Sequence, residues 1–229
     1  MVRFFDIIFS TLALVCLAPL LVPLLLALRF TGEGEVFFLQ ERVGLGGKVF
    51  RLFKFATMLK DSPNLGTGPL TVSEDPRILP FGKFLRKTKI NELPQLLNIA
   101  LGDMSIIGPR PVTKKSLRGY PSHVQALLST VLPGLSGIGS IIFRREEDIL
   151  QGDSASVEFY DEVIAPYKSA VEEWFVHRNS LFIYFLCIFL TVWVIFFPSS
   201  GAVWRVFKDL PVPPTGLMRH LNYPYTDLP

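Results

Sequence analysis

The chain has 229 residues, a formal net charge of +3 and 49% hydrophobic residues. That length suits one globular domain with a membrane element, and it is too short for two ordinary domains plus an anchor. The mean hydropathy of +0.39 indicates contact with lipid, and a pI near 8.9 suits anionic headgroups. So mild a charge excludes the dense basic stripe that nucleic-acid binding needs, so we expect no nucleic-acid partner.

An uncharged apolar run from Ile7 to Leu28 is long enough to cross a bilayer as a helix. Pro19 and Pro23 interrupt this run and each removes a backbone hydrogen bond, so the sequence predicts a sharp kink. Two shapes compete: a kinked helix that crosses the membrane, and a helix-break-helix that enters it and returns to the same side. Arg3 and Arg29 place positive charge at both ends, which favours re-entry.

A cleaved signal peptide is another interpretation of the same run. The run is long, contains proline and lacks a small-residue cleavage site before Arg29, and these features argue against cleavage. The two cysteines, Cys16 and Cys187, lie inside apolar runs. They predict neither a disulfide nor a zinc site.

The segment after this run favours a small α/β domain that is rich in helix. Apolar alternation predicts strands at residues 36–39 and 49–55, joined by a glycine-rich turn at 44–48. A helical period covers Pro80 to Leu101 and breaks near residues 89–91, where we expect a helix to begin. The remaining predictions are a strand at 105–107, helices at 122–131 and 156–179, and a loop at Gly134, Gly137 and Gly139 between those helices.

A second apolar run, from Leu181 to Phe197, is near the lower length limit for a membrane span. Its aromatic residues suit the membrane interface as well as the centre, so a surface helix and a crossing helix both stay open. The tail from Pro198 is rich in proline and aromatic residues, including Tyr225, and predicts an extended arm.

The chemistry is concentrated between Asp75 and Pro111, in the sequence DPRILPFGKFLRKTKINELPQLLNIALGDMSIIGPRP. Asn91 and Glu92 stand where a helix is expected to begin, with Pro94 in its first turn. A helix start attracts anions, and arginine side chains match phosphate oxygens. The plainer interpretation is that Asn91 caps a helix and that the basic residues form a solvated face. The cations around this point are Arg77, Lys83, Arg86, Lys87, Lys89 and Arg110.

This stretch resembles the bacterial sugar transferase family, the monotopic phosphoglycosyl transferases, whose members read like DPR..R.G.FLRKTSLDELPQL.NVL.GDMS.VGPRP. The N-terminal RFFDIIFS…LAPLLVPLLLALRF, then VFFLQERVGLGGKVFRLFKFATM, and then LPGLSGIGS follow the same order. The resemblance covers roughly residues 2 to 145 and, more weakly, the C-terminal third. Several motifs in one order are far more specific than a single motif.

The resemblance implies a re-entrant helix, broken at Ala18-Pro19, that carries a cytoplasmic α/β catalytic domain with helices at the membrane surface. It divides the chain into the re-entrant helix (1–30), the catalytic domain (31–180), an apolar membrane-associated helix (181–198) and a proline-rich C-terminal arm (199–229). The implied location is the bacterial inner membrane, with the catalytic domain in the cytoplasm.

The family's reaction has two steps. An aspartate attacks a UDP-sugar, releases UMP and keeps the phosphosugar; polyprenyl (undecaprenyl) phosphate then accepts it, at the start of polysaccharide assembly. Mg²⁺ is the implied cofactor. The implied partners are the UDP-sugar, polyprenyl phosphate and membrane lipid, and a homodimer stays open. Nothing in the sequence identifies the sugar.

The chain departs from the family at the nucleophile. The Asp-Glu pair of the family reads Asn91-Glu92 here, and an amide oxygen is a poor nucleophile. Three explanations stay open. Asn91 is a deliberate change that stops the covalent step, or it is a natural residue in a protein that only binds its ligands. In the third, it is a natural residue in an active enzyme in which Glu92 or the lipid phosphate is the attacking group. Ala56 replaces a usual arginine, and the loop at residues 137–140 lacks the commoner aromatic and glutamine pair.

The resemblance assigns candidate roles to six positions. Asn91 and Glu92 are the catalytic candidates, and Glu92 is also the candidate metal ligand. The candidate substrate contacts are Lys54, Arg86, Arg110 and Arg144. A solvated charge cluster is an equal interpretation of Arg144 and Arg145, because acidic residues at 146–148 follow them. Asp103 is interpreted as a residue of a helix-end turn.

Overall fold

The computed structural model describes residues 1–65, 75–149 and 157–224. It is an α/β protein in which helices predominate and the strands form two small sheets. The helices of the first half are α1 (Val2–Phe30), α2 (Pro80–Lys87), α3 (Gln95–Leu101), α4 (Lys114–Arg118), α5 (Ser122–Leu128) and α6 (Ile138–Ile142). Those of the second half are α7 (Glu146–Ile149), α8 (Val157–Phe159), α9 (Ala165–Arg178), α10 (Leu181–Phe196), α11 (Ala202–Val206) and α12 (Thr215–Met218).

The strands are β1 (Phe37–Val43), β2 (Val49–Phe55), β3 (Ser105–Ile107) and β4 (Gly134–Ser136). β1 and β2 form an antiparallel hairpin, which confirms the strand pair and the glycine-rich turn that the sequence predicts. β3 confirms the short strand, and it pairs in parallel with β4. The predicted glycine loop is wrong in part, because Gly134 belongs to β4 and Gly139 to α6. Ser156 of the predicted helix lies outside the described residues.

α1 is one helix from Val2 to Phe30, with Pro19 and Pro23 inside it. The predicted division into two helices is therefore wrong for this structure. A proline removes a single hydrogen-bond donor, and the hydrogen bonds on both sides of it can keep the helix continuous. In the described part of the chain, α1 is the one helix that is long and apolar enough to cross a membrane.

α1 lies along the domain over its whole length. Near its start, Arg3 donates hydrogen bonds to the carbonyl oxygens of Ile99 (2.6 Å) and Ala100 (3.0 Å), at the end of α3. Near its end, Leu24 and Leu28 pack in one cluster with side chains of β2 and α2. The opposite face of α1 is apolar and exposed, at Phe4, Ile7, Ile8, Leu12, Val15, Leu20, Val22, Leu26 and Phe30.

Asp6 joins α1 to two other elements. Its buried carboxylate accepts hydrogen bonds from the Ser105 hydroxyl (3.0 Å), the Ile106 amide (2.9 Å) and the Tyr184 hydroxyl (2.9 Å). These donors belong to β3 and α10. A buried carboxylate is tolerated only when it is hydrogen-bonded, so Asp6 fixes the start of α1 against the domain.

α10 also lies against the domain, with one face buried and the other exposed. Tyr184, Cys187, Leu190 and Val194 enter the largest core cluster, together with side chains of α6, α9 and α11. The exposed face carries large apolar residues, namely Phe182, Phe185, Phe189, Val192, Trp193, Ile195 and Phe196.

The predicted extended arm is wrong for residues 202–221. This segment contains α11 and α12, and Trp204, Phe207, Leu217 and Leu221 belong to the same core cluster as α10. The Trp204 indole donates to the Leu221 carbonyl oxygen at 3.0 Å. Burial of large side chains holds the tail on the domain despite its prolines. Tyr225 lies outside the described residues.

We expect Asp6→Ala to lower the free energy of unfolding by about 3 kcal/mol, since three donors lose a charged acceptor. In a chain of this size that corresponds to a melting temperature roughly 6–12 °C lower, measured by thermal unfolding in nanodiscs. Thr11→Ala, at an exposed position on the same helix, is the control and should leave the melting temperature unchanged. Equal melting temperatures for both variants would show that Asp6 does not fasten α1.

Candidate functional site

The site begins at the turn between α2 and α3. Lys89 has a left-handed backbone (φ 60°), residues Ile90–Glu92 form one 3₁₀ turn, and Pro94 is the N-cap of α3. The break near residues 89–91 is therefore confirmed. The helix begins four residues later than Asn91, so the prediction that Asn91 caps it is wrong. The reason is Pro94, whose fixed φ suits the start of a helix while its missing N–H costs nothing there.

Among the described residues that line the site, Glu92 is the one carboxylate, and it lies beside several cations. Its Oε1 lies 3.4 Å from the Lys54 Nζ and 3.9 Å from the Arg110 Nη2. The structure therefore brings together Lys54, Glu92 and Arg110, three of the six candidate residues predicted from the sequence. They come from three separate segments of the chain: β2, the 3₁₀ turn and the loop after β3.

Asn98 on α3 holds the edge of β2 in place. Its Oδ1 accepts from the Phe53 amide at 3.0 Å, and its Nδ2 donates to the Arg51 carbonyl oxygen at 2.8 Å. Lys54 is the next residue of β2, so these bonds fix the strand from which it points. Gly102 ends α3 in a left-handed conformation, and Asp103 accepts from the Asn98 Nδ2 at 3.2 Å, which confirms Asp103 as a turn residue.

Arg110 stands between two prolines in the loop that follows β3. Arg42 on β1 donates to the Pro111 carbonyl oxygen at 3.1 Å, and the Val43 amide donates to the Val112 carbonyl oxygen at 3.0 Å. Proline at both neighbours restricts the backbone. The hairpin and the loop are thus joined where Arg42 and Arg110 both face the site.

A small polar cavity that opens to solvent lies between these elements. Arg42 and Gln95 line it and were missed as candidates, although both fall inside the motifs that carry the resemblance. Nothing in the sequence distinguished them from ordinary strand and helix residues. The described residues that line it are Arg42, Leu52, Lys54, Glu92, Gln95, Arg110, Pro111, Gly134 and Leu135.

The charges in the cavity shift one another's protonation. Burial alone would raise the pKa of Glu92, but the charges of Lys54, Arg110 and Lys89 outweigh it and lower that pKa to about 2. Burial lowers the pKa of Lys54 to about 8, and the charges of Arg110 and Arg42 act in the same direction against the attraction of Glu92. One carboxylate cannot neutralise three cations, so the site carries excess positive charge and suits an anion.

The other three candidates do not line this cavity. Asn91 is buried, and its Oδ1 has no hydrogen-bond partner in the described part of the chain. Arg86 donates to the Met58 sulfur at 3.8 Å.

Arg144 lines a second small cavity, also open to solvent, together with Arg145 and His220. Burial lowers the pKa of Arg144, while the charge of Glu92 raises it, so the two groups interact across the site. Glu146, from the acidic residues that follow, pairs with the buried Lys168 rather than standing in solvent. The side chains of Glu147 and Asp148 lie outside the described part.

The residues fit a magnesium ion only with help from a substrate. Mg²⁺ in phosphate-transfer sites usually takes one or two carboxylates, and phosphate and water oxygens supply the rest. Glu92 offers one carboxylate, and the Asn91 Oδ1 is a buried acceptor beside it in sequence. Within the described ranges no group of three His, Cys, Asp or Glu side chains could hold a metal without a substrate.

The family model for bacterial sugar transferases matches residues 1–198. The chain belongs to the bacterial sugar transferase family. The match includes α1, the site and α10, so it confirms the resemblance and extends it beyond residue 145.

Relatives of this sugar transferase carry names from polysaccharide assembly. It is 35% identical over 158 residues to the exopolysaccharide production protein ExoY of Sinorhizobium fredii, covering 63% of this chain and 70% of the relative. It is 36% identical over 166 residues to the UDP-glucose:undecaprenyl-phosphate glucose-1-phosphate transferase of Escherichia coli, covering 71% of this chain and 36% of the relative. For the undecaprenyl-phosphate galactose phosphotransferase of Salmonella typhimurium, identity is 35% over 160 residues, with 64% and 33% covered. The chain thus spans about a third of the last two relatives.

We expect the affinity of the sugar transferase for sulfate to fall about tenfold between pH 7 and pH 9. The pKa of Lys54, lowered to about 8, means that its ammonium loses a proton in this window and one cation of the cavity disappears. Sulfate keeps its charge throughout, so calorimetric titration reports on the protein alone. Lys54→Arg remains charged and should show no such fall; a fall of the same size in this variant would assign it to another group.

Proposed function

We propose that this sugar transferase is built to move a phosphosugar from a UDP-sugar to polyprenyl phosphate. The observation that carries the proposal is the Glu92 carboxylate held between Lys54 and Arg110, at a cavity that Arg42 also lines. The name of the Escherichia coli relative supports a UDP-sugar donor and an undecaprenyl-phosphate acceptor, and the name of the Salmonella typhimurium relative supports the acceptor. We further propose undecaprenyl phosphate as the acceptor and the inner membrane, with the domain in the cytoplasm, as the location.

The cations of the cavity bind the pyrophosphate of the donor. Arg110 offers a guanidinium that can match two phosphate oxygens, and it is presented by a backbone that the two prolines restrict. Lys54 and Arg42 add charge that Glu92 only partly neutralises. Catalysis of phosphoryl transfer consists mainly of such positioning and charge stabilisation.

The covalent step needs an ionised carboxylate at residue 91. That oxygen would form a bond to the β-phosphorus, the bond from this phosphorus to the bridging oxygen would break, and UMP would leave. The polyprenyl phosphate oxygen would then attack the same phosphorus and release the carboxylate. The carboxamide of Asn91 is neutral and does not support this step, so we propose that the present form binds both substrates without a covalent intermediate.

Glu92 would hold a magnesium ion once substrate phosphates complete its coordination, and the ion would supply neutralisation of phosphate charge. Lys54 and Arg110 would then be released from Glu92 to the phosphate oxygens. The carboxylate of Glu92 is ready for this role at neutral pH because its pKa is lowered to about 2.

A second candidate is a non-catalytic binding protein on the same fold. The neutral carboxamide of Asn91 favours it, because the site keeps its cations and its carboxylate Glu92 but lacks the attacking group. The two candidates differ in what a carboxylate at residue 91 would restore.

We expect Asn91→Asp to form a phosphosugar adduct on incubation with UDP-glucose and UDP-galactose, observed by intact-protein mass spectrometry, and to transfer radiolabel to undecaprenyl phosphate. The original form should bind the donor but show no adduct. Asn91→Asp with Glu92→Gln is the matched control, and transfer should fall at least a hundredfold when Glu92 is neutral. Donor binding with no adduct and no transfer in Asn91→Asp would support the binding protein instead.

The position of α1 supports a monotopic arrangement, in which the protein enters one leaflet without crossing. Both ends of α1 contact the same domain, through Arg3 at one end and Leu28 at the other. A helix that crossed the bilayer would carry one end away from a domain on the other side. We therefore propose that the exposed apolar faces of α1 and α10 lie in the lipid on the domain's own side.

Cysteine labelling tests this arrangement in a Cys16→Ala background. A cysteine inserted after Met1 and a Thr31→Cys substitution mark the two ends of α1, and Cys187 is buried and should not react. Both markers should react with an impermeant maleimide from the cytoplasmic face, in inside-out vesicles. Reaction of the two markers from opposite faces would show a true span and contradict the monotopic arrangement.

A further inference from the structure

The backbone N–H of Arg110 has a partner from a distant helix. Pro109 and Pro111 have no N–H, so the Arg110 amide is the only backbone donor of these three residues. It donates to the Oε1 of Glu172 on α9 at 3.1 Å. The carboxylate of Glu172 therefore holds the loop that presents the Arg110 guanidinium to the site.

Glu172 is buried, with a relative exposure of 4%, and its Oε2 has no hydrogen-bond partner among the described residues. Gly139 gives it room: a β-carbon on Gly139 would lie 2.3 Å from the Glu172 Oε1. The carboxylate thus occupies space that any side chain at residue 139 would take.

In the part of the chain that the structure describes, Glu172 has no ion-pair partner that would fix its charge. Lys168, one turn earlier on α9, pairs with Glu146 of α7 and lies over the rings of Phe143 and Tyr160. Burial raises the pKa of Glu172 to about 7, against the lowering effects of the Arg110 amide and of the charges on Lys168 and Arg110. The titratable groups that interact with Glu172 from the surrounding elements are Arg110, Tyr120, Lys168 and Cys187. Glu146 reaches this group only through its ion pair with Lys168.

We infer that Glu172 is a positioning residue for the donor site: its carboxyl group fixes the Arg110 loop, and its ionisation weakens the binding of the anionic donor. The inference rests on the proposed function. When the carboxyl group is neutral, Oε1 still accepts from the Arg110 amide, and Arg110 keeps its full charge for the phosphates. When the Glu172 carboxyl group is ionised, its buried negative charge lies close to Arg110 and repels the negatively charged pyrophosphate of the donor.

The test compares donor affinity at pH 5.5 and pH 7.5, with the full chain in nanodiscs and UDP-glucose as the probe. The pyrophosphate diester of this probe does not titrate in that range. Affinity of the original form should fall about threefold to tenfold as Glu172 loses its proton. Glu172→Gln keeps the acceptor and the shape but removes the charge, so its affinity should change less than twofold.

Glu173→Gln is the matched control, because Glu173 is the next residue on α9 and faces His123 and His177 at the surface. It should keep the pH dependence of the original form. A second measurement uses the same variant. Calorimetry at pH 7 in buffers of different ionisation enthalpy should show more proton uptake on UDP-glucose binding in the original form than in Glu172→Gln, because Lys54 can gain a proton in both.

Two results would overturn the inference alone: the same pH dependence in Glu172→Gln as in the original form, or proton uptake on binding that is no greater in the original form than in Glu172→Gln. Absence of UDP-glucose binding at every pH would overturn the inference and the proposed function together. Binding with no pH dependence in any form would leave the proposed function standing and remove the role of Glu172.

Discussion

The arrangement of the site depends on a charge imbalance around one carboxylate. Lys54, Arg42 and Arg110 come from three segments, and Glu92 is the one carboxylate among the described residues that line the cavity with them. Like charges repel strongly when they are removed from water, so these segments stay together only because Glu92 is ionised and because hydrogen bonds hold each backbone independently. The excess positive charge creates affinity for an anion. Burial lowers the pKa of Lys54, and the charges of Arg110 and Arg42 add to that effect.

The sequence predicts the parts of the molecule that depend on local patterns. The hairpin, β3 and the break between α2 and α3 follow from apolar periodicity, glycine and proline, and all three are observed. The grouping of Lys54, Glu92 and Arg110 follows from motif order. α1 is different, because two prolines within one turn predict a break and the helix continues; packing along its whole length against the domain outweighs two missing donors.

Other features depend on contacts between residues that are far apart in the chain. Proline in the tail predicts an extended arm. The tail packs on the domain instead, because burial of Trp204 and Phe207 is favourable. Composition does not reveal which residues these two side chains contact. The roles of Arg42 and Glu172 depend on such contacts too. The role of Arg42 follows from the contact between the β1–β2 hairpin and the loop after β3. The role of Glu172 follows from the contacts of α9 with Gly139 and with the Arg110 amide.

The hydrogen bonds that Asp6 accepts have a consequence for synthesis of the chain. Its hydroxyl donors lie 99 residues away at Ser105 and 178 residues away at Tyr184. The first helix therefore leaves the ribosome well before the groups that satisfy its carboxylate exist, and a buried carboxylate without partners is costly. The Asp6 carboxylate can acquire all three donors only after α10 has been made, so the final packing of α1 against the domain coincides with completion of the domain.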